Sequence, residues 1–212
     1  MRNKKYAAEI VGRLKEIYPD AICSLEYDGD PWRLLVMGRL SAQCTDARVN
    51  EVCKTLFNKW SSADSLASAP LSEVEDAIRS CGLYKMKARD IVGASKMLCE
   101  KYGGILPDTM EELLTLPGVG RKIANLLLGD IYKKPAVVVD THCIRISARM
   151  GLVPKSANTP EKIERILSEL IKDSEQSDFC HRIVLLGREY CTARGFSCGE
   201  CPLSDICKKK TD

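Results

Sequence analysis

Leu116-Pro117-Gly118-Val119-Gly120-Arg121-Lys122 is the stretch on which the reading of this chain turns. It lies between two segments of helical periodicity. Its two glycines, one residue apart, permit a tight turn with positive φ angles and a close backbone approach to a ligand. The amide N–H groups of the turn and the N-terminus of the next helix are expected to face outward as an anion site. A nucleic-acid phosphate fits such a site without sequence preference. For Pro-Gly-x-Gly alone, a plain helix–helix turn remains the alternative.

Outward from the turn, the periodicity is helical nearly throughout. Residues 4–18 put Ile10, Val11, Leu14, Ile17 and Tyr18 on one stripe, which Pro19 stops. Residues 31–40 are apolar on most sides, as a central buried helix is. Val49, Val52, Cys53, Leu56, Phe57 and Trp60 repeat at three- and four-residue steps. Ser72-Glu73-Val74-Glu75 reads as a capping box, with Gly82 closing its helix. Residues 86–102 carry Ile91, Val92, Ser95, Leu98, Cys99 and Tyr102 on one face, ended by Gly103-Gly104. Asp108 followed by Glu111 predicts a short helix running into the glycine turn, and further helices are expected at 122–131, 141–150, 160–172 and 178–190. Only Ala136-Val137-Val138-Val139 resembles a strand, too short and solitary to imply a sheet. The expected fold class is all-α.

No apolar run reaches the roughly 18 residues that span a bilayer. The start, Met1-Arg2-Asn3-Lys4-Lys5, leads into an amphipathic segment rather than a signal peptide, so a cytoplasmic or nucleoid location is expected. A net charge of +3 does not announce a polyanion partner by itself. Local clusters stand at Lys85/Lys87/Arg89, Arg121/Lys122 and Lys208-Lys209-Lys210, each more often a solvated face than a site.

Eleven cysteines without a secretory signal favour metal ligation or buried thiols over disulfides. Cys191, Cys198, Cys201 and Cys207 form C-x6-C-x2-C-x5-C, which suits an iron–sulfur cluster or a zinc ion. Structural zinc usually has two close pairs, and here only one exists. Arg188, Arg194 and Lys208-Lys209-Lys210 make this loop positive and able to press on a phosphate backbone. Cys23, Cys44, Cys53, Cys81, Cys99, Cys143 and Cys180 are expected as buried thiols on apolar faces.

The glycine turn continues as Ile123-Ala124-Asn125, and Val139-Asp140-Thr141-His142 follows. Together these resemble the helix-hairpin-helix, glycine/proline-rich loop and aspartate signature of the endonuclease III family. Leu40-Ser41-Ala42-Gln43-Cys44-Thr45-Asp46, Gly82-Leu83-Tyr84-x-x-Lys87-Ala88 and all four cysteines of the array extend the likeness over most of the chain. The resemblance implies two helical lobes with DNA in the groove between them. One is a helical barrel over 23–134, holding the hairpin and Lys122; the other is discontinuous, 1–22 with 135–212, holding Asp140 and a 4Fe–4S cluster on the four cysteines. It also implies double-stranded DNA with damaged bases or abasic sites as partner. A monomer is the simplest expectation.

Breaking an N-glycosidic bond puts oxocarbenium-like charge on the sugar, which a nearby carboxylate stabilises. An amine nucleophile then yields a Schiff base that acidifies the C2′ proton, so the 3′ phosphate leaves by β-elimination. The resemblance makes Lys122 that nucleophile and Asp140 the carboxylate. The amine must be neutral, against a reference pKa of about 10.4, and burial, Arg121 and a helix N-terminus are expected to favour that form. Asp140 also suits the N-cap of helix 141–150. A target base must be extruded from the duplex and its gap filled. Gln43 and Leu83 resemble the residues that do so, Gly118, Val119, Gly120 and Arg121 the phosphate-binding hairpin, and His142 a contact to base or phosphate; a surface amide, a core leucine and a local hydrogen bond are the respective alternatives. The expected activity is a DNA glycosylase/AP lyase acting on oxidised or saturated pyrimidines. A glycosylase for a mismatched or photodamaged base and a non-catalytic DNA-binding protein are the rival readings.

Overall fold

The computed structural model describes residues 3–154 and 156–208. The helices, in chain order, are α1 (Lys4–Ile17), α2 (Pro31–Leu40), α3 (Asp46–Lys59), α4 (Ala63–Ala67), α5 (Leu71–Ala77) and α6 (Tyr84–Tyr102). They continue as α7 (Met110–Leu113), α8 (Arg121–Asp130), α9 (Thr141–Met150), α10 (Pro160–Leu170) and, after a 3-10 turn, α11 (Gln176–Glu189). The fold is all-α. Ala136–Val139 is extended and buried but has no partner strand among the described residues; the Val138 N–H instead donates to Cys180 Sγ at 3.2 Å. The chain forms two compact units, Ser24–Tyr132 and Met1–Cys23 with Lys133–Asp212.

Short polar side chains set most helix starts by accepting the orphan N–H groups of the first turn. Asp30 caps α2, whose first residue is Pro31; Thr45 caps α3 and Thr159 caps α10. The capping box expected at Ser72 is not there. α5 starts two residues earlier, with Pro70 at its N-cap and no side-chain cap, and it ends at Ala77, well before Gly82. Burial of Val74 and Ile78 fixes that helix. The reciprocal box falls instead on Ser62 and Ser65, opening a helix that hydrophobic periodicity does not reveal because it is only five residues long. α7 is likewise capped by Thr109 rather than Asp108.

In the Ser24–Tyr132 unit, α2 is the central element: Leu34, Leu35, Val36, Met37 and Leu40 are all buried. α6 and α8 pack on it. Gly38 permits the second contact, since a Cβ there would stand 3.3 Å from Ile123 Cγ2. In the other unit α11 packs on α9 and α1. A Cβ at Gly187 of α11 would collide with the His142 ring and come within 2.6 Å of Ile146 Cδ1, so only glycine allows that approach. Tyr6 of α1 ties its hydroxyl to the carbonyls of Met150 (2.8 Å) and Ile206 (3.0 Å).

Candidate active site and metal centre

The hairpin is seated on α2 and α6. Pro117 packs on Gly93, where a Cβ would stand 3.3 Å from the proline ring. Gly118 lies over an ion pair in which Arg39 Nε donates to Asp90 Oδ2 at 2.6 Å. Its φ is +73°, and a Cβ would come within 2.7 Å of both Arg39 and Asp90, so left-handed backbone and close approach both require glycine. Gly120 differs from the expectation of two positive φ angles: it is the N-cap of α8 at φ −96°, in open space. Val119 also departs from an outward-facing role. Its side chain is in the core and its N–H donates to Leu116 O at 3.1 Å.

Lys122 is the second residue of α8 and follows Arg121, both exposed. The expected burial of Lys122 is not found. A helix start faces outward wherever its glycine N-cap does, and here the first turn has no side-chain cap. Asp140, in the other unit, is the N-cap of α9; its Oδ1 accepts the Cys143 N–H at 2.7 Å, which fixes the carboxylate's orientation. His142 is half-buried, with Nδ1 3.1 Å from the Arg145 guanidinium and its ring against Gly187.

Gln43 and Leu83 come together. Both hold left-handed backbone, at φ +55° and +60°, although neither is glycine. A Cβ on Gly82 would stand 4.0 Å from Gln43 O, and the Cys44 thiol lies near enough to Cys81 to add to the burial that raises its pKa. Leu83 is 54% exposed and therefore not a core leucine. Gln43 is exposed too.

Charge patterning misplaces one residue outright: Lys87 does not belong to a solvated face but is fully buried on α6. Its Nζ donates to Leu40 O at 2.8 Å. Burial pulls its pKa below the ordinary lysine value, against an opposite pull from the Cys81 and Cys44 thiols. A signal existed in the sequence, because Lys87 stands one turn before Ile91 on the same stripe.

Cys191, Cys198, Cys201 and Cys207 all line one cavity of about 450 Å³, its open mouth included, walled by apolar side chains such as Ile146, Leu186 and Leu203. Among the described residues, no three His, Cys or carboxylate side chains converge closely enough to hold a single metal ion. Four thiols around a cradle fit a polynuclear iron–sulfur cluster. Arg149 serves this wall in a way the spacing of cysteines does not reveal: NH1 donates to Cys191 Sγ at 3.3 Å and to Thr192 O at 2.7 Å, and the guanidinium stacks 4.9 Å over Phe196. Arg145 Nε donates to Cys191 O at 3.1 Å. Arg188, Arg194 and Lys208 are exposed, whereas Lys209 and Lys210 lie outside the described residues. Of the other thiols, Cys53, Cys81, Cys143 and Cys180 are buried as expected, but Cys23, Cys44 and Cys99 are only partly covered.

Among the described residues no helix is long and apolar enough to cross a membrane. Residues 36–173 match the HhH-GPD superfamily of base excision DNA repair proteins. The chain is 45% identical to endonuclease III of Synechocystis, over 96% of this chain and 92% of that protein. It is 39% identical to endonuclease III of Bacillus subtilis, over 99% and 94% of the two chains. The fold superposes on a trapped endonuclease III–DNA covalent intermediate with a TM-score of 0.92 at 39% identity, covering 99% of this chain and 97% of that one.

Proposed function

The chain belongs to the HhH-GPD superfamily of base excision DNA repair proteins and, within it, to the endonuclease III family; from this premise we propose that its glycosylase and lyase chemistry runs through Lys122 and Asp140. The protein is a DNA glycosylase/AP lyase of base excision repair. The observation that carries the residue assignment is an exposed amine in the first turn of α8, directly behind a turn that only glycine can make. The lone pair of Lys122 Nζ attacks C1′ while the base leaves with the electron pair of the N-glycosidic bond and takes up a proton. Opening of the sugar ring leaves a protonated imine between C1′ and Nζ. The C2′ proton is then lost, its electron pair forms the C2′–C3′ double bond, and the 3′ phosphate leaves with the C3′–O pair. Asp140 offsets the positive charge that develops on the sugar, and its cap bond to Cys143 keeps the carboxylate oriented for that task.

In this reading Gln43 and Leu83 fill the gap left by the extruded base. Their exposure and proximity support that role. The Gly118–Arg121 turn takes phosphate through backbone N–H groups at Gly120 and the start of α8, and His142 contacts the base or a phosphate. Cys191, Cys198, Cys201 and Cys207 hold a 4Fe–4S cluster, which supplies a rigid cross-link to a positively charged loop. Residues 23–134 are then the hairpin domain, and 1–22 with 135–212 the cluster domain; the two compact units support this division. The substrate class is an oxidised or saturated pyrimidine in duplex DNA, the protein acts as a monomer, and its location is cytoplasmic, at the nucleoid.

Borohydride trapping on abasic duplex DNA tests the nucleophile. Wild type gives a covalent adduct, and Lys122→Ala reduces its formation by about 10³-fold or more. A Lys122→Ala protein that traps like wild type overturns the assignment. A set of duplexes with defined lesions then reads the substrate class.

A further inference from the structure

A lysine buried without a carboxylate partner is costly, so its site must use the charge or the reach of the side chain. Lys87 is 0% exposed, and it is bonded at both of its ends. Its backbone N–H donates to Leu83 O at 3.1 Å, closing the first turn of α6 behind a leucine in left-handed conformation. Its Nζ donates to Leu40 O at 2.8 Å, at the last residue of α2 and three residues before Gln43. That carbonyl is one of the orphan acceptors of a helix C-terminus, where a cation is also favoured by the helix dipole. Ser41 satisfies two others, since its N–H bonds Met37 O and its hydroxyl bonds Gly38 O. Neither left-handed residue is a glycine, so each turn must be held by its surroundings. Leu83 itself has no side-chain cap to hold it.

We propose that Lys87 is a positioning residue that locks the Gln43 turn to the Leu83 turn, making the two one rigid wedge for reading a duplex. This rests on the reading of Gln43 and Leu83 as gap-filling residues. Lys87 touches no DNA; it acts through the ends of α2 and α6. A neutral apolar side chain of the same length fills the space but leaves Leu40 O without its donor, and the Gln43 turn is then free to shift against Leu83.

The test uses the full-length protein and borohydride trapping under single-turnover conditions on two substrates: an abasic duplex, and a single strand of the same sequence, which has no gap to fill. Lys87→Met is expected to slow adduct formation on the duplex about tenfold to a hundredfold while the single-strand rate holds. Lys87→Gln, which keeps an N–H donor, regains part of the loss. Because Lys87 acts through Gln43, the double variant with Gln43→Ala is no slower than the worse single variant. Equal loss on both substrates, no loss on the duplex, or multiplied effects in the double variant overturns the proposal. If Gln43→Ala and Leu83→Ala themselves leave the duplex rate intact, the gap-filling reading is what fails. A variant that folds poorly lowers both rates together and leaves their ratio unchanged, so the ratio separates positioning from stability.

Discussion

α8 and α9 are both ten residues long, and they begin in opposite ways. The N-cap of α8 is Gly120, which has no side chain to offer, so no side-chain cap closes the first turn beside Lys122. The N-cap of α9 is Asp140, whose own carboxylate closes the turn by accepting the Cys143 N–H. An open start suits a phosphate, and a closed start holds an acid in one orientation. A third start, at α11, does neither: Glu175 occupies the N-cap position, but its carboxylate turns away to Lys15 at 2.8 Å and Arg182 at 3.1 Å. The same position in a helix thus serves three ends, decided by the side chain and its neighbours.

The sharpest way to break this contrast is at the closed start. Asparagine caps a helix about as well as aspartate, so Asp140→Asn should leave stability within about 0.5 kcal/mol of wild type. Its base release from lesion duplex should fall about 10²-fold, because the charge is gone. Asp140→Ala should lose about 1 kcal/mol of stability in addition. Full base release by Asp140→Asn would reduce this residue to a cap. Gly118→Ala should cost about 2 kcal/mol in urea unfolding, from left-handed backbone and collision with the Arg39–Asp90 pair; a cost below about 0.5 kcal/mol would show that the turn relaxes freely. Gly120→Asp converts the open start into a closed one. It should stabilise α8 by about 0.5 kcal/mol yet weaken abasic-duplex binding about tenfold, since an acid occupies the anion site. Unchanged affinity would mean that no phosphate docks there. The smallest effect belongs to Glu175. The hydrogen bond from Lys15 holds its carboxyl below the ordinary glutamate value, with burial opposing and Arg182 assisting. A depressed folded-state pKa gives stability that is present above the unfolded value near 4.5 and is lost as pH falls through the folded value. Glu175→Gln should therefore lower stability slightly in the neutral range, where the charged carboxylate contributes, and flatten the acid limb below about pH 4.5, converging with wild type in acid. An identical acid limb would remove these ion pairs from the account.

What the sequence revealed and concealed follows from range. Helix faces, the Gly103 stop, the Asp140 cap and the spacing of four cysteines are local patterns, and each is readable from a few neighbouring residues. The Ser72 box was misleading because the helix takes Pro70 as its N-cap, two residues sooner. Left-handed Gln43 and Leu83 were invisible, since nothing in either side chain prefers that conformation; the surroundings impose it. Lys87 was legible only in part, since the stripe it shares with Ile91 placed it inward while its charge argued for solvent. Its neighbours Lys85 and Arg89 are charged, and only the distant carbonyl of Leu40 explains its burial. Lys122 shows the reverse error: chemistry suggested a covered amine, while the hairpin presents it at the surface.

The discontinuous unit carries a consequence for synthesis on the ribosome. α1 is made well before the rest of its unit: its apolar stripe of Ala7, Ile10, Val11 and Leu14 packs in a unit completed only by residues from Lys133 onward. Tyr6 waits for Met150 and Ile206, Arg13 for Asp205, and Lys15 for Glu175. At roughly 5–20 residues per second, that interval is on the order of 10–40 s, in the course of which the whole Ser24–Tyr132 unit is made. A nascent chain therefore carries α1 with its apolar stripe uncovered until that distant segment is made, and slowing elongation lengthens the period in which a chaperone must shield it.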